Sequence, residues 1–401
     1  MTMIDVVDLL AELVAQNTTN PVGNETAAAG VLADVLRAAG FEVRLDEISP
    51  GRANLIARAD FSTDGPTVML NSHLDVVPAG AGWTSSPFIL AQRDGRLYGR
   101  GAADAKGSLA AMAVAAVNLV RQASRLRGSL VYTAVADEEV GSLGARRLLS
   151  PGSMVGRPDA AIVGEPTGLR LCTAHKGSVR PVIEVTGVAA HAATPQQGVN
   201  AISSIGALLR LVDEYAGHLA GRAHPLVGPP TVTPVLIDGG EAPNAVPERC
   251  RITLDRRLVP GERAEVALAE VRHLLTRFDD AAAPARAEIA ECAPSTGGPS
   301  ETPADHPFVV TAQRALAAVG LDSKLAGLVV NCDMTHFRTA GIPCLVLGPG
   351  SLQVMHTVDE WIAADDLHAA VPAYEAVLDG LLATSAAAWH RNGASAGTGP
   401  C

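Results

Sequence analysis

Five segments of this chain put carboxylates or histidines directly after apolar stretches, and these residue types are the ones that hold divalent metal ions. In VMLNSHLD, His73 and Asp75 follow the apolar Val68–Leu70 at a spacing of two. An extended chain turns both to one face. Asp75 is then placed to accept a hydrogen bond from the imidazole nitrogen that His73 would not use for metal. In GRGAADAKGS, Asp104 lies in a glycine-rich, tightly turning stretch. Gly99-Arg100-Gly101 begins a dinucleotide fingerprint, but Asp104 stands where the third glycine should be. A carboxylate there repels a pyrophosphate and attracts a cation. Asp137-Glu138-Glu139 follows the apolar run LVYTAVA. Three successive carboxylates at the mouth of a buried strand are costly unless cations or water neutralise them. Neighbouring side chains diverge along extended chain, so one of Glu138 and Glu139 can bind metal while the other addresses water. Glu165 in AAIVGEPTG and His356 in LGPGSLQVMHTVDE complete the set.

Each segment taken alone is weak. A lone histidine after a strand is more often structural than a ligand, and a single acidic turn is more often solvated. Their shared position is the stronger signal, because ligands of open α/β sheets gather outside the carboxyl ends of the strands. Two divalent cations carry four positive charges. Asp104, Glu139 and Glu165 supply three negatives, a hydroxide the fourth, and two neutral histidines complete the shell. Mixed histidine and carboxylate ligation suits zinc first, then cobalt or manganese.

The elements that must position these residues show in the hydrophobic pattern. Ile4–Gln16, Glu25–Ala39 and Ser108–Arg121 have helical periodicity, and Ala53–Ala57, Thr67–Leu70, Leu130–Val135 and Ala160–Val163 are short apolar runs. Helices alternating with such runs predict a largely parallel sheet. The texture changes near Lys176. Strand patterns at Val179–Val185, Thr231–Ile237, Arg251–Leu254 and Ala287–Ala290 enclose helices at Asn200–Tyr215 and Ala264–Leu275. That βαββαβ order suits a ferredoxin-like insert. From about Asp305 the alternation returns, with a strand at Cys344–Leu347 and a helix at Asp365–Leu381. The expected division is a catalytic domain over 1–175 and 291–384, a lid over 176–290, and a disordered tail over 385–401.

Composition removes other classes. Lys and Arg total 31 against 42 Asp and Glu, a net charge of −11, which is the wrong sign for a general nucleic-acid binder. The six cysteines (Cys172, Cys250, Cys292, Cys332, Cys344 and Cys401) show no paired spacing and read as free thiols of a reducing cytoplasm. The N-terminus carries Asp5, Asp8 and Glu12 among apolar residues, which fits an amphipathic helix and not a signal peptide. The longest apolar run, around Leu109–Val120, is too short to span a bilayer. A soluble cytoplasmic protein is expected.

The stretches SHLDVVP, WTSSPF, GRGAADAKG, DEEVGSLGA, GEPTG, HAATPQQGVNAI and GPGSLQVMHTVDE resemble, in order and spacing, the co-catalytic dizinc aminoacylases and peptidases. That family includes acetylornithine deacetylase, succinyl-diaminopimelate desuccinylase and glutamate carboxypeptidase. The resemblance runs from His73 to Glu360, across both expected domains. It implies a zinc-peptidase-like α/β catalytic domain interrupted by a lid that also dimerises. It implies that His73 and Glu165 hold one metal, Glu139 and His356 the other, and that Asp104 bridges them. Glu138 would be the general base, Asp75 the partner of His73, and the Asp104–Ala105 bond cis. His191 in HAATP would stabilise the oxyanion, in the partner subunit's site. Asn244 and Arg257 would bind the substrate α-carboxylate, with Arg256 an equally suitable neighbour by chemistry. The segment NCDMTHFRTAGIP, around Asp333 and Arg338, matches neither the desuccinylase nor the acetylornithine deacetylase pattern, and Met355 replaces a common alanine.

The expected activity is hydrolysis of the amide bond of a small N-acyl amino acid, with a dipeptidase or carboxypeptidase as the alternative. A non-catalytic binding protein on the same scaffold would have lost the base or a ligand, and here all are present.

Overall fold

A computed structural model describes residues 4–383, so the expected tail over 385–401 lies outside the described residues. The chain divides into two compact units. One holds the residues up to Ala174, Glu301–Gly327 and those from Cys332 on; the other holds His175–Ser300 and Leu328–Asn331.

Besides a small sheet of Trp361–Ala363, Arg96–Tyr98 and Ala91–Arg93, the first unit is built on one large sheet. Its strands are β1 (Glu42–Ser49), β2 (Arg52–Asp60), β3 (Thr67–His73), β4 (Ser129–Val135), β5 (Ala160–Val163), β6 (Cys172–His175), β7 (Ser300–Glu301), β8 (Ala326–Leu328) and β9 (Cys344–Val346). The order is β1-β2-β4-β3-β5-β9-β6-β7, with β8 beside β6. The central four, β4-β3-β5-β9, run parallel, while β1 and β2 pair antiparallel on one side and β6 meets β9 antiparallel on the other. β3 and β4 are buried at all or all but one position, as the continuous apolar runs of a covered parallel sheet require. β1 has no such run. Its alternating, mostly polar pattern fits an edge strand, and the apolar-run criterion passes over it.

Helices α1 (Val6–Ala15), α2 (Glu25–Ala38), α3 (Lys106–Val120), α4 (Leu143–Leu148), α5 (Pro307–Ala318), α6 (Met334–Thr339) and α7 (Ala364–Leu382) complete this unit. Asp5 caps α1, accepting from the N–H groups of Val7 and Asp8 at 2.7 and 3.2 Å. α3 is buried on nearly every side between its neighbours α1 and α7, which explains its run of alanines in place of an amphipathic pattern. Leu10, Leu13, Leu32, Leu109, Met112, Phe308, Tyr374 and Leu381 join one core. Among the described residues no helix is long and apolar enough to cross a membrane.

The second unit is a four-stranded antiparallel sheet of Thr231–Gly239, Arg249–Leu258, Gly177–Thr186 and Arg286–Ala293, in that spatial order. Helices Ala201–Leu219 and Ala264–Ala281 share one core with it, through Ile205, Leu208, Val271 and Phe278 against Ile183, Ile252 and Leu254. This is the βαββαβ arrangement the sequence pattern predicts.

Candidate metal centre

Parallel pairing brings the five ligand segments together. β3 and β4 are in register with His73 opposite Val135, and β3 and β5 with Asn71 opposite Val163. The ends of β3, β4 and β5 therefore lie at one edge, with His73 closing β3, Glu138 and Glu139 in the loop after β4, and Glu165 in the loop after β5. Asp104 arrives from the turn before α3, and His356 from the loop after β9. Gly101 in that turn has φ +86, and a Cβ on Gly107 would run into the carbonyl oxygen of Ala102. The glycines of GRGAADAKG thus allow the backbone to fold tightly around Asp104. The Asp104–Ala105 bond is cis.

Ligand atoms of His73, Asp104 and Glu165 lie within 4.8 Å of one another, and so do those of Asp104, Glu139 and His356. Asp104 belongs to both groups. Its Oδ1 is 3.1 Å from Nε2 of His73, and its Oδ2 is 3.2 Å from Nε2 of His356. Glu139 meets that same His356 nitrogen at 3.1 Å. Two imidazoles and three carboxylates, one of them with an oxygen on each side, are donor types that a pair of divalent cations takes. These residues fit such a pair.

The tautomer of His73 follows from its other contact. Nδ1 lies 2.9 Å from the carbonyl oxygen of Asp75, which can only accept, so Nδ1 carries a proton and Nε2 is the nitrogen left to face a metal ion. The bond is to the backbone and not to the carboxylate, whose nearest oxygen is 3.7 Å from Nδ1. The Asp75 carboxylate has other work. It accepts the N–H groups of Glu138 and Glu139, both at 3.1 Å, and Nδ2 of Asn20 at 2.5 Å. Backbone donors of the neighbouring acidic turn draw it away from the ring.

The electrostatics are those of crowded negative charge. Burial and then the charge of Glu165 push the Glu138 carboxyl well above its ordinary range. Burial and Asp104 raise Glu139, and burial raises Glu165 despite the opposing pull of His73. Burial opposes charge on His73, yet Asp104 and Glu165 hold its pKa well above 6.5. Bonds to Asp104 and Glu139 lift His356 to about 10. Burial works against ionised Asp104, but its two histidine partners hold it ionised. The cluster calls for cations.

Several supporting residues carry no spacing signal in the sequence. Glu360 accepts the backbone N–H groups of Ala103 and Asp104 at 2.9 and 3.0 Å and pairs with the buried Arg100 at 2.5 Å. It stands four residues after His356, but nothing local says that it returns to Asp104. Burial brings Lys106 down to about 7, and its Nζ donates to the carbonyl of Gln16. In the segment without a family match, Asp333 is buried and accepts from Nδ2 of Asn71 at 3.2 Å, and burial raises it to about 6. Arg338 donates to the carbonyls of Glu301 and Ile342.

His191, Asn244 and Arg257 belong to the second unit. Ala190–His191 pairs with Ala245–Val246, the N–H of Ala192 donates to the carbonyl of Asn244, and His191 and Asn244 are both exposed. Arg257 donates to Asp255 at 2.6 Å. Arg256 is wholly buried, bonded through Nε to the Tyr215 hydroxyl and through Nη2 to Glu262. Its guanidinium is consumed within the unit, whereas Arg257, also paired with Asp255, is partly exposed.

A profile described as Peptidase family M20/M25/M40 matches residues 69–380. An acetylornithine deacetylase of Proteus mirabilis is 33% identical over 89% of this chain and 91% of its own. A tripeptidase of Staphylococcus aureus superposes with a TM-score of 0.78 at 22% identity, over 95% of this chain and all of that one. A Bacillus subtilis protein described as a dinuclear metal-binding peptidase superposes with a TM-score of 0.71 at 16% identity, over 94% and 97%.

Proposed function

This chain belongs to peptidase family M20/M25/M40 and is a metal-dependent amide hydrolase; from that premise we propose that it cleaves a small N-acyl amino acid, as a deacylase of the cytoplasm. The observation that carries the reading is Asp104, which turns one oxygen to His73 and the other to His356. His73 and Glu165 would hold one divalent ion, Glu139 and His356 a second, with Asp104 shared between them and zinc the favoured metal. Ions bound there would polarise the substrate carbonyl and acidify water.

The protein's own groups supply the rest. Glu138 would take the proton from the attacking water and deliver it to the leaving amine. Burial and the charge of Glu165 push its pKa upward, which makes its carboxylate a stronger proton acceptor than a solvated one. Asp75 fixes the acidic turn through two backbone bonds and fixes His73 through its carbonyl. His191 would donate to the oxyanion, while Asn244 and Arg257 would orient the substrate carboxylate. The relatives named as acetylornithine deacetylases support a short acyl group over a peptide.

A homodimer through the second unit is part of this reading. Its support is the edge strand Thr231–Gly239, where Val235, Leu236 and Ile237 are consecutive, apolar and exposed.

The test is elemental analysis of the purified protein, paired with amine release from a panel of N-acetyl and N-succinyl amino acids and dipeptides. About two metals per chain and chelator-sensitive release from N-acyl substrates are expected. Preferential cleavage of dipeptides would replace the deacylase with a peptidase, and absence of bound metal would remove the mechanism.

A further inference from the structure

Behind the acidic turn lies a second set of buried polar groups, centred on Arg52 at the start of β2. Its side chain is only 15% exposed, and its guanidinium donates in three directions. Nε and Nη2 reach the wholly buried carboxylate of Glu25 at 3.1 and 2.5 Å. Nη1 reaches Oδ1 of Asp137 at 3.0 Å, and Nη2 reaches Oδ1 of Asn20 at 3.0 Å. Asn20 then passes the connection on, because its Nδ2 donates to Asp75, which accepts the N–H groups of Glu138 and Glu139. Two routes therefore run from one guanidinium to the same short turn, one through Asp137 and one through Asn20 and Asp75.

The turn needs such support. Asp137 has φ +72, a left-handed conformation that disfavours residues with a Cβ. It is also the first of three consecutive carboxylates, and Arg52 pairs with that one alone. The other two remain free to face cations and water. A planar fork donates from three nitrogens at fixed angles and so reaches acceptors on three sides, whereas an ammonium gathers its donors on one atom and cannot span the same set.

We propose that Arg52 is a positioning residue that sets the aim of Glu138 and Glu139, with Glu25 as the countercharge that holds its guanidinium in place. The proposal rests on the metal-dependent reading above and adds a residue distant in sequence from every ligand.

The experiment uses the full chain with Arg52→Met and Arg52→Lys. It compares melting temperature without metal, cobalt uptake and the visible absorption of bound cobalt, and kcat and KM on the best substrate of the panel. Arg52→Met is expected to bind cobalt with an altered absorption and to lose roughly 10- to 100-fold in kcat, the cost typical of removing an outer partner of metal ligands, with KM little changed. Arg52→Lys keeps the charge without the fork and is expected to resemble Arg52→Met more than the wild type. Should Arg52→Met fail to fold, Asp137→Asn breaks one route alone and is expected to shift cobalt absorption and kcat in the same direction.

Wild-type absorption and kcat in Arg52→Met, or in Asp137→Asn where that stands in, overturn the proposal. So does a loss of activity that only tracks a lost folded fraction while the remaining sites keep the wild-type cobalt spectrum. A wild type that binds cobalt but cleaves nothing in the panel contradicts the substrate reading, and the cobalt spectra then decide the role of Arg52. A wild type that binds no cobalt removes the metal reading, and this proposal with it.

Discussion

Glu138 and Glu139 are adjacent in sequence and differ in what surrounds them. Glu139 shares His356 with Asp104, whereas Glu138 is raised chiefly by burial and by Glu165 and belongs to neither ligand group. Glu138→Gln keeps the shape and removes the proton acceptor. It is expected to lower kcat by about 10²- to 10⁴-fold while metal content stays at the wild-type level. Near-full activity in that variant would take the base away from Glu138. A second residue-scale outcome concerns stability. His336 has no hydrogen-bond partner at Nε2 among the described residues, and burial, aided by Arg146, lowers it from 6.5 to about 4. Between those values the unfolded chain takes up a proton that the folded protein refuses, so stability falls as pH drops from 6.5 towards 4. In His336→Gln this loss disappears, and the melting temperature is expected to fall less steeply across that window. Thermal scans from pH 7 to pH 4 on both proteins check it; parallel curves would rule it out.

At the scale of elements, the start of α3 decides where Asp104 points. Lys106, Gly107 and Ser108 are all buried, and Gly107 faces the carbonyl of Ala102 with no room for a methyl group. Elsewhere in a helix, Gly→Ala stabilises by roughly 0.5–1 kcal/mol. Here overpacking costs about 1–3 kcal/mol, so the expected net effect is destabilising. Gly107→Ala should lower the melting temperature and, by moving the turn that carries Asp104, weaken metal binding. An unchanged or higher melting temperature would show that the turn yields without cost. β1 teaches a different lesson about this scale. An edge strand needs only one covered face, so it lacks the apolar run that marks β3, β4 and β5.

At the scale of the whole molecule, the exposed apolar run on Thr231–Gly239 is the feature most in need of a partner. Unpaired edges are ordinarily blunted by charge, proline or a bulge; this strand carries Pro234 and a register shift between Pro234 and Leu236, yet it still shows Val235, Leu236 and Ile237 to solvent in succession. Leu236→Lys is expected to convert a dimer to a monomer in light scattering while the far-ultraviolet circular dichroism stays unchanged. A wild type that is already monomeric would dismiss the dimer.

The residue types and their order alone determined the ligand candidates, the exclusion of a dinucleotide, the α/β class and the βαββαβ second unit. These depend on local chemistry: a carboxylate cannot replace the third glycine, and hydrophobic periods of two and of 3.6 distinguish strands from helices. Only the tertiary structure decided which supporting groups meet the site. Asn20, Glu25, Arg52 and Glu360 are far in sequence from the residues they hold, and each is an ordinary polar residue until strand pairing and helix packing deliver it. The same holds for Asp75, whose spacing from His73 pointed to a carboxylate–imidazole bond. Two backbone N–H groups from another strand's end drew the carboxylate to themselves, because a buried acceptor goes to the donors the fold brings within reach.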